Sequence, residues 1–476
     1  MPSNRNSNES RRIDERDDYR FDITRSPAVQ RDLGAGDDKV RIEAPGVAQI
    51  RITFTGLEVG NGNPNDSNTL PNQDGGLAVR VQAENAAGNL VGPVSRFDDE
   101  GIQFKAKGAT LFDVRDLVTG ASRGLFDEVI LGTSGADKLG DDDDDDDYRG
   151  GRDDDDDDDR RDDDDEPQSY YINGGMGNDR IYGGPLNDFL VGGAGNDRLF
   201  GRQGNDIFIG GFGDDRIRGG TGDDTALFNI SVDGSDQVNL GAGLDIVRLT
   251  SPVGSQVRIT FNNAEVGNDN PFDSGTRPNQ DGGLAVRLQL EDASGNLIGP
   301  VSRFDDEGIS FIRSPGQTFD VRSLVNDAQR GDQFDVVRFG TSGDDMISDA
   351  GRAIRYYTDG GGGNDTLIGG TLFDTLVGGL GNDRLDGRQG NDNLVGGAGA
   401  DTFIFTGVAG NDRILDFARN TDKIDLSAYG ITAANVTSSA SGANTVLAVD
   451  SNRDGIADFQ ITLVGVGAPL ATDYIF

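Results

Sequence analysis

GGMGNDRIY-GGPLNDFLV-GGAGNDRLF-GRQGNDIFI-GGFGDDRIR-GGTGDDTAL, residues 174–227, is one nine-residue unit written six times without a break. Its sixth position is always aspartate: Asp179, Asp188, Asp197, Asp206, Asp215 and Asp224. Its eighth is a large apolar residue, Ile181, Leu190, Leu199, Phe208 and Ile217, until Ala226 takes that place in the last unit. A fixed short period of this kind is the mark of a stacked repeat. The GGxGxD half suits a tight turn with positive φ angles and close backbone approach, and the D-x-U-x half, with U the large apolar residue, suits a short strand with one side chain facing inward. Two units then make one coil.

Stacked coils bring the aspartates of successive turns, together with turn carbonyls, into a column. A column of carboxylates repels itself unless a cation lies in it, and calcium, which takes about six to eight oxygen ligands, suits such donors. Burial points the same way. One inward apolar side chain per unit cannot offset the entropy of ordering nine residues, so a further source of stability is needed. A second block, GGGGNDTLI-GGTLFDTLV-GGLGNDRLD-GRQGNDNLV-GGAGADTFI (360–404), repeats the pattern with Asp365, Asp374, Asp383, Asp392 and Asp401. The metal-ligating set expected from both blocks is these aspartates with the turn glycines Gly174, Gly177, Gly192, Gly195, Gly210, Gly213, Gly378, Gly381 and Gly396. Two departures recur in both: Pro185-Leu186 and Leu372-Phe373 displace a turn glycine, and Arg202 and Arg388 replace the second glycine of a unit.

These units resemble the RTX nonapeptide GGxGxDxUx of secreted bacterial proteins, which implies a calcium-bound parallel β-roll. The segment NDRILDFARNTDKIDLSAYGI (411–431) and the ending Asp473-Tyr474-Ile475-Phe476 resemble the closing region of serralysin-type proteases and RTX lipases. In that family such an ending is an uncleaved type I secretion signal, so the resemblance implies export by the type I apparatus to an extracellular location. The polar N-terminus, MPSNRNSNESRRIDERDDYR, lacks the apolar core of a cleavable signal peptide.

The rest of the chain narrows the function classes. Its 476 residues carry a net charge of −40, which argues against nucleic acid and anionic membranes as partners and in favour of cations. Cysteine and histidine are both absent, which removes thiolate zinc sites, Ser-His-Asp machinery and HExxH chemistry. No protease domain accompanies the serralysin-like tail. No apolar run approaches a membrane span.

The chain is also an internal duplication. GGLAVR stands at 75 and 282, GPVSRFDDEGI at 92 and 299, GTSGADKL at 132 and its counterpart GTSGDDMI at 340. Each copy opens on a module with the alternation of half-buried β-structure, as in Ile50, Ile52 and Phe54 or Leu284, Val286, Leu288 and Leu290, with turns at Gly88 and Gly295. Copy one alone carries the run 141–166, with 18 aspartates, which reads as a solvated insertion or a weak cation-contacting loop. DSNRDGIADF (450–459) reads either as an EF-hand-like loop or as a β-turn.

The expected fold is all-β: two parallel calcium-bound β-rolls alternating with two small antiparallel β-modules. The order is an N-terminal arm (1–32), β-module (33–131), β-roll with the insertion (132–228), linker (229–239), second β-module (240–339), second β-roll (340–405), and a cap with secretion signal (406–476). The expected function is a secreted calcium-binding structural or interaction protein rather than an enzyme. Two further readings stay open: a polysaccharide-binding or adhesive surface protein, and a carbohydrate-active enzyme using carboxylates such as Asp98, Asp99 and Glu100.

Overall fold

The computed structural model describes residues 18–28, 30–31, 38–54, 79–97, 102–106, 110–115, 122–133, 135–140, 167–251, 256–261, 286–291, 297–304, 308–313, 319–323 and 333–476. The Asp-rich insertion 141–166, most of the N-terminal arm, and the acidic clusters Asp98 to Glu100 and Asp305 to Glu307 lie outside them. The described residues are strands and turns, with short 3₁₀ turns at Ser427–Tyr429, Ala433–Asn435 and Ala471–Asp473. No helix among them is long and apolar enough to cross a membrane. The chain divides into two compact units, residues 1–222 and 223–476.

In the first unit the repeats coil as the nine-residue period dictates. Tyr170–Met176, Phe189–Ala194 and Ile207–Phe212 form one parallel sheet; Lys138–Gly140, Arg180–Tyr182, Arg198–Gln203 and Arg216–Thr221 form the other. Each repeat residue pairs with the residue 18 positions on, as Ile181 with Leu199 and Leu190 with Phe208, so one coil is two units. The eighth-position side chains Ile181, Leu190, Leu199, Phe208 and Ile217 are fully buried. The alternation with outward Arg180, Arg198 and Arg216 follows from the period of two along a strand.

The first β-module stacks onto this roll. Glu128–Leu131 pairs in parallel with Tyr170–Met176, the first long strand of the roll. The module combines antiparallel pairs, Gln49–Phe54 with Val79–Glu84 and the latter with Leu90–Phe97, with parallel ones. Gln49–Phe54 runs parallel to Leu111–Arg115, and Asp38–Glu43 runs parallel to Asp18–Asp22 and to Ile102–Ala106. Parallel neighbours so far apart in sequence come from a chain that continues to wind. Ile50, Ile52, Phe97, Phe104, Phe112 and Phe126 build the module core, which continues into Tyr171, Phe189 and Val191 on the outer face of one roll sheet.

The second unit repeats this plan. Asp245–Thr250, Ile309–Arg313 and Val336–Phe339 lead into Tyr356–Asp359, Thr375–Leu380, Asn393–Ala398 and Asp412–Ile414. The facing sheet runs through Met346–Ser348, Thr366–Ile368, Arg384–Asp386, Thr402–Ile404 and Lys423–Asp425 to Tyr474–Ile475. An antiparallel meander, Val436–Ser441, Asn444–Val449 and Phe459–Leu463, closes the unit on Asp412–Ile414. The stretch 229–239 holds the end of the strand Thr225–Asn229 and the start of Gln237–Ala242.

Candidate metal centre

The turns between strands take their shape from glycine. In the regular units the fourth-position glycines have positive φ, +112° at Gly177, +143° at Gly195, +120° at Gly213 and +122° at Gly381. The first-position glycines are needed for a different reason. A Cβ on Gly174, Gly192, Gly210, Gly378 or Gly396 would lie 2.3 to 2.5 Å from Oδ2 of the aspartate of its own unit, so each carboxylate packs directly over a bare Cα. On Gly174 that same Cβ would meet the carbonyl oxygen of Gly192 at 2.6 Å, which places a carboxylate oxygen and a carbonyl oxygen of the next coil side by side.

The two oxygens of each ladder aspartate have separate environments. Oδ1 accepts the main-chain N–H of the residue one coil earlier: Asp137 to Asp179 at 2.8 Å, Asp179 to Asp197 at 2.8 Å, Asp197 to Asp215 at 2.9 Å, Asp188 to Asp206 at 2.8 Å. The second roll does the same from Asp345 to Asp365, Asp365 to Asp383, Asp383 to Asp401 and Asp374 to Asp392, at 2.8 to 3.0 Å. Oδ2 of Asp179, Asp197, Asp365, Asp383, Asp392 and Asp401 is buried and accepts no hydrogen bond. A buried carboxylate oxygen without a donor is costly, and the cost is removed by a cation or a proton. The shifts agree: burial, foremost, with neighbouring carboxylates adding to it, pushes Asp179 up to about 8, Asp365 to about 7 and Asp392 to about 9.

In the irregular turns Oδ2 is bonded differently. The main-chain N–H of Gly184 donates to Oδ2 of Asp188, and that of Gly370 to Oδ2 of Asp374, both at 2.7 Å. With Oδ1 taking the N–H of Tyr170 or Tyr356, both carboxylates are satisfied within the protein. The same closure, from a residue four earlier, occurs at the ladder ends: Thr133 to Asp137, Thr341 to Asp345 and Ala418 to Asp422, at 2.6 to 2.7 Å. The other departure is absorbed by the backbone, since Arg202 and Arg388 hold φ of +77° and +69° in place of the glycine.

Several ladder members escape a reading confined to the regular blocks. Asp137, Asp345, Asp412 and Asp422 extend the columns, and Asp245 receives the N–H of Asp224 at 2.8 Å. Their signal is D-x-U after a glycine-containing turn, present in GTSGADKL, GTSGDDMI and GAGLDIV. Fifth-position asparagines add a second column, with Oδ1 of Asn178, Asn364 and Asn382 accepting N–H groups of the next coil. In the loop 450–458 both carboxylate oxygens of Asp450 and Asp458 accept hydrogen bonds from within the loop, which is the turn between Asn444–Val449 and Phe459–Leu463.

Among the described residues no three acidic side chains converge on one point. A cation in these columns would therefore take one carboxylate per turn supplemented by main-chain carbonyls, an all-oxygen set that fits calcium. The RTX calcium-binding nonapeptide repeat matches the chain in four copies, at residues 171–190, 191–226, 359–375 and 368–403. The two blocks are RTX calcium-binding repeats, and their cofactor is Ca²⁺. Among 35 matching solved chains is the AlgE6R3 subunit of the mannuronan C5-epimerase of Azotobacter vinelandii, 32% identical, covering 28% of this chain and 79% of that one at a TM-score of 0.18. Another is the extracellular lipase LipA of Serratia marcescens, 20% identical, covering 65% of this chain and 40% of that one at a TM-score of 0.15. No curated protein matches the chain.

Proposed function

We propose that this chain is an exported structural or interaction protein, without catalytic activity, whose two rolls fold when calcium reaches them. The observation that carries the reading is the set of buried Oδ2 atoms on Asp179, Asp197, Asp365, Asp383, Asp392 and Asp401 that accept no hydrogen bond. Bound calcium would neutralise these columns and join neighbouring coils, so that its binding free energy becomes folding free energy. In chelator the same columns are self-repelling, which keeps the blocks unfolded where calcium is scarce. Export by the type I apparatus is supported by the resemblance of residues 411–431 and 473–476 to the closing region of secreted RTX proteins.

Counting calcium by equilibrium dialysis of the intact chain tests the reading. Binding of several ions, cooperative and lost on replacing Asp197 and Asp383 together by Asn, is expected; binding confined to weak, salt-screened sites would refute it.

A further inference from the structure

We propose that the outward face of one sheet of the first roll is an intramolecular docking surface, and that its occupant is the chain's own Asp-rich run, residues 141–166. The sheet is Lys138–Gly140, Arg180–Tyr182, Arg198–Gln203 and Arg216–Thr221. The opposite sheet packs its outer side against the first β-module through Tyr171, Phe189 and Val191.

The parallel register makes this face cationic. Lys138 pairs with Arg180, Arg180 with Arg198, and Arg198 with Arg216, so one cationic side chain per strand stands in line. Arg202 and Arg218 share the face, because side chains alternate along a strand and Leu199 and Ile217 point inward. Among the described residues no carboxylate forms an ion pair with Arg180, Arg198, Arg216 or Arg218, in a chain whose net charge is −40. Cations stacked in a column repel one another, and a polyanion laid along them removes that repulsion.

The chain supplies a polyanion at the edge of this same sheet. The run starts immediately after Gly140, which ends the first strand and pairs with Tyr182. Its far end is fixed too, since Ser169 donates its main-chain N–H at 2.9 Å and its hydroxyl at 2.8 Å to Oδ2 of Asp127. Residues 141–147 and 153–159 are aspartate throughout, on either side of Tyr-Arg-Gly-Gly-Arg at 148–152. At ~4.8 Å between neighbouring strands, Lys138 and Arg216 stand about 14 Å apart. Seven extended residues reach ~23 Å, so either aspartate block can pass the whole column. Tethering holds these carboxylates at an effective concentration of about a millimolar, at which several individually weak surface pairs suffice.

The second roll supplies the internal control, because it lacks both partners at once. Its strands Met346–Ser348 and Tyr356–Asp359 are joined by 349–355, which has no aspartate run. Its corresponding column reads Met346, Thr366, Arg384 and Thr402, and Ile404 stands where Arg218 does. Arg388, the counterpart of Arg202, is held by Asp386 at 3.1 Å. The roll fold therefore requires neither the run nor the cationic column, and the copy that carries one carries the other.

The face exists only on a folded roll, so the proposal rests on the calcium reading, and circular dichroism on calcium addition shows separately whether each variant folds. The test uses the intact, calcium-loaded chain at low salt. Arg216→Lys puts an amine on the strand of this sheet farthest from Gly140. Carbodiimide, which joins an amine to a carboxylate in contact with it, is expected to couple position 216 to an aspartate of 141–166. A mixture of isotope-labelled and unlabelled chains should give that product within single chains. A second arm follows a short fluorescent poly-aspartate peptide. It should bind at least tenfold more tightly to a chain lacking 144–165, whose remaining connection matches 349–355 in length, than to the intact chain. Replacing Arg180, Arg198 and Arg216 together by Gln in the shortened chain should remove that gain. Should the triple variant fail to fold, Arg198→Gln alone, expected to cost threefold or more, decides. Both effects should fade as salt is raised. A folded chain that couples position 216 to nothing in the run overturns the proposal, and coupling found only between chains overturns it in favour of a second copy as occupant. Peptide binding that is equal in the intact and shortened chains, or indifferent to the arginine variants, overturns it as well.

Discussion

The main-chain N–H of Asp197 donates to Oδ1 of Asp215 at 2.9 Å, while Oδ2 of Asp197, equally buried, accepts no hydrogen bond. One oxygen of the ladder aspartate ties coil to coil; the other is left without a donor, and under the proposed function it is the one a calcium ion takes. At Asp188 the second oxygen is taken by Gly184 N–H instead.

That difference predicts unlike consequences for two similar substitutions. Asp197→Asn should lower the number of calcium ions bound by the intact chain. Asp188→Asn should leave that number unchanged but lower the stability of the calcium-loaded roll by about 1 to 3 kcal/mol, because a single amide oxygen cannot serve the N–H groups of both Tyr170 and Gly184. Dialysis and urea melts separate the two effects. Equal loss of calcium in both variants would contradict the assignment of the irregular turns.

The glycine requirement is local. Gly193 has φ of +109°, and a Cβ there would lie 2.1 Å from the carbonyl oxygen of Gly175. Gly193→Ala should therefore cost about 1 to 3 kcal/mol of calcium-loaded stability or prevent folding of the block. Arg202→Gly, at the same position of its unit with φ of +77°, should cost far less in the same melts, since glycine relieves the left-handed strain and gives up only the contact of Arg202 with the Tyr182 ring. Tolerance of Gly193→Ala would show that the coils can separate.

Acid should partly replace calcium. Asp179, Asp365 and Asp392 are raised from an ordinary 3.8 to about 8, 7 and 9 in the folded roll, chiefly by burial. A raised folded-state value stabilises the fold fully below the unfolded value, and that stability is lost as pH rises through the folded one. In chelator the β-signal should thus be stronger at pH 5 than at pH 8, and calcium affinity should fall over the same interval as protons compete. A chelated chain with no gain of β-structure on acidification would contradict this sign.

The tail has a structural task besides any signal. Asp473, fully buried, accepts the N–H groups of Asn420 at 3.1 Å and Leu470 at 2.7 Å, and Tyr474–Ile475 extends the second roll. Asp473→Ala should destabilise the second roll while sparing the first, seen as two separated melting steps. Export is better tested through Ile475 and Phe476, which are 38% and 39% exposed. Replacing both by Ser should abolish release to the medium while the calcium-loaded chain still folds, and unchanged release would remove the type I assignment.

The roll was legible because its rule is local. D-x-U at every ninth residue announces turn, strand and inward side chain together, as at Asp197-Arg198-Leu199. Ladder members at other spacings were harder to see: Asp412 and Asp422 follow Asp392 and Asp401 by 20 and 21 residues rather than 18. Departures at Pro185 and Leu372 were visible as departures, but that Gly184 and Gly370 would close on Oδ2 of the aspartate depends on backbone geometry. The modules hid most. Ile50 and Ile52 announce a strand, yet the parallel partnership of Gln49–Phe54 with Leu111–Arg115 joins residues about 60 apart, and no local pattern encodes it.

The most direct measurement is circular dichroism of the intact chain at pH 8, first in chelator and then with calcium raised to about the millimolar range typical of extracellular sites. Calcium-dependent folding predicts a chelated chain with the repeat β-signal missing and a cooperative gain of β-structure on calcium addition, with magnesium a poor substitute because it prefers a rigid octahedron. Full β-content in chelator at pH 8, unchanged by calcium, would contradict it.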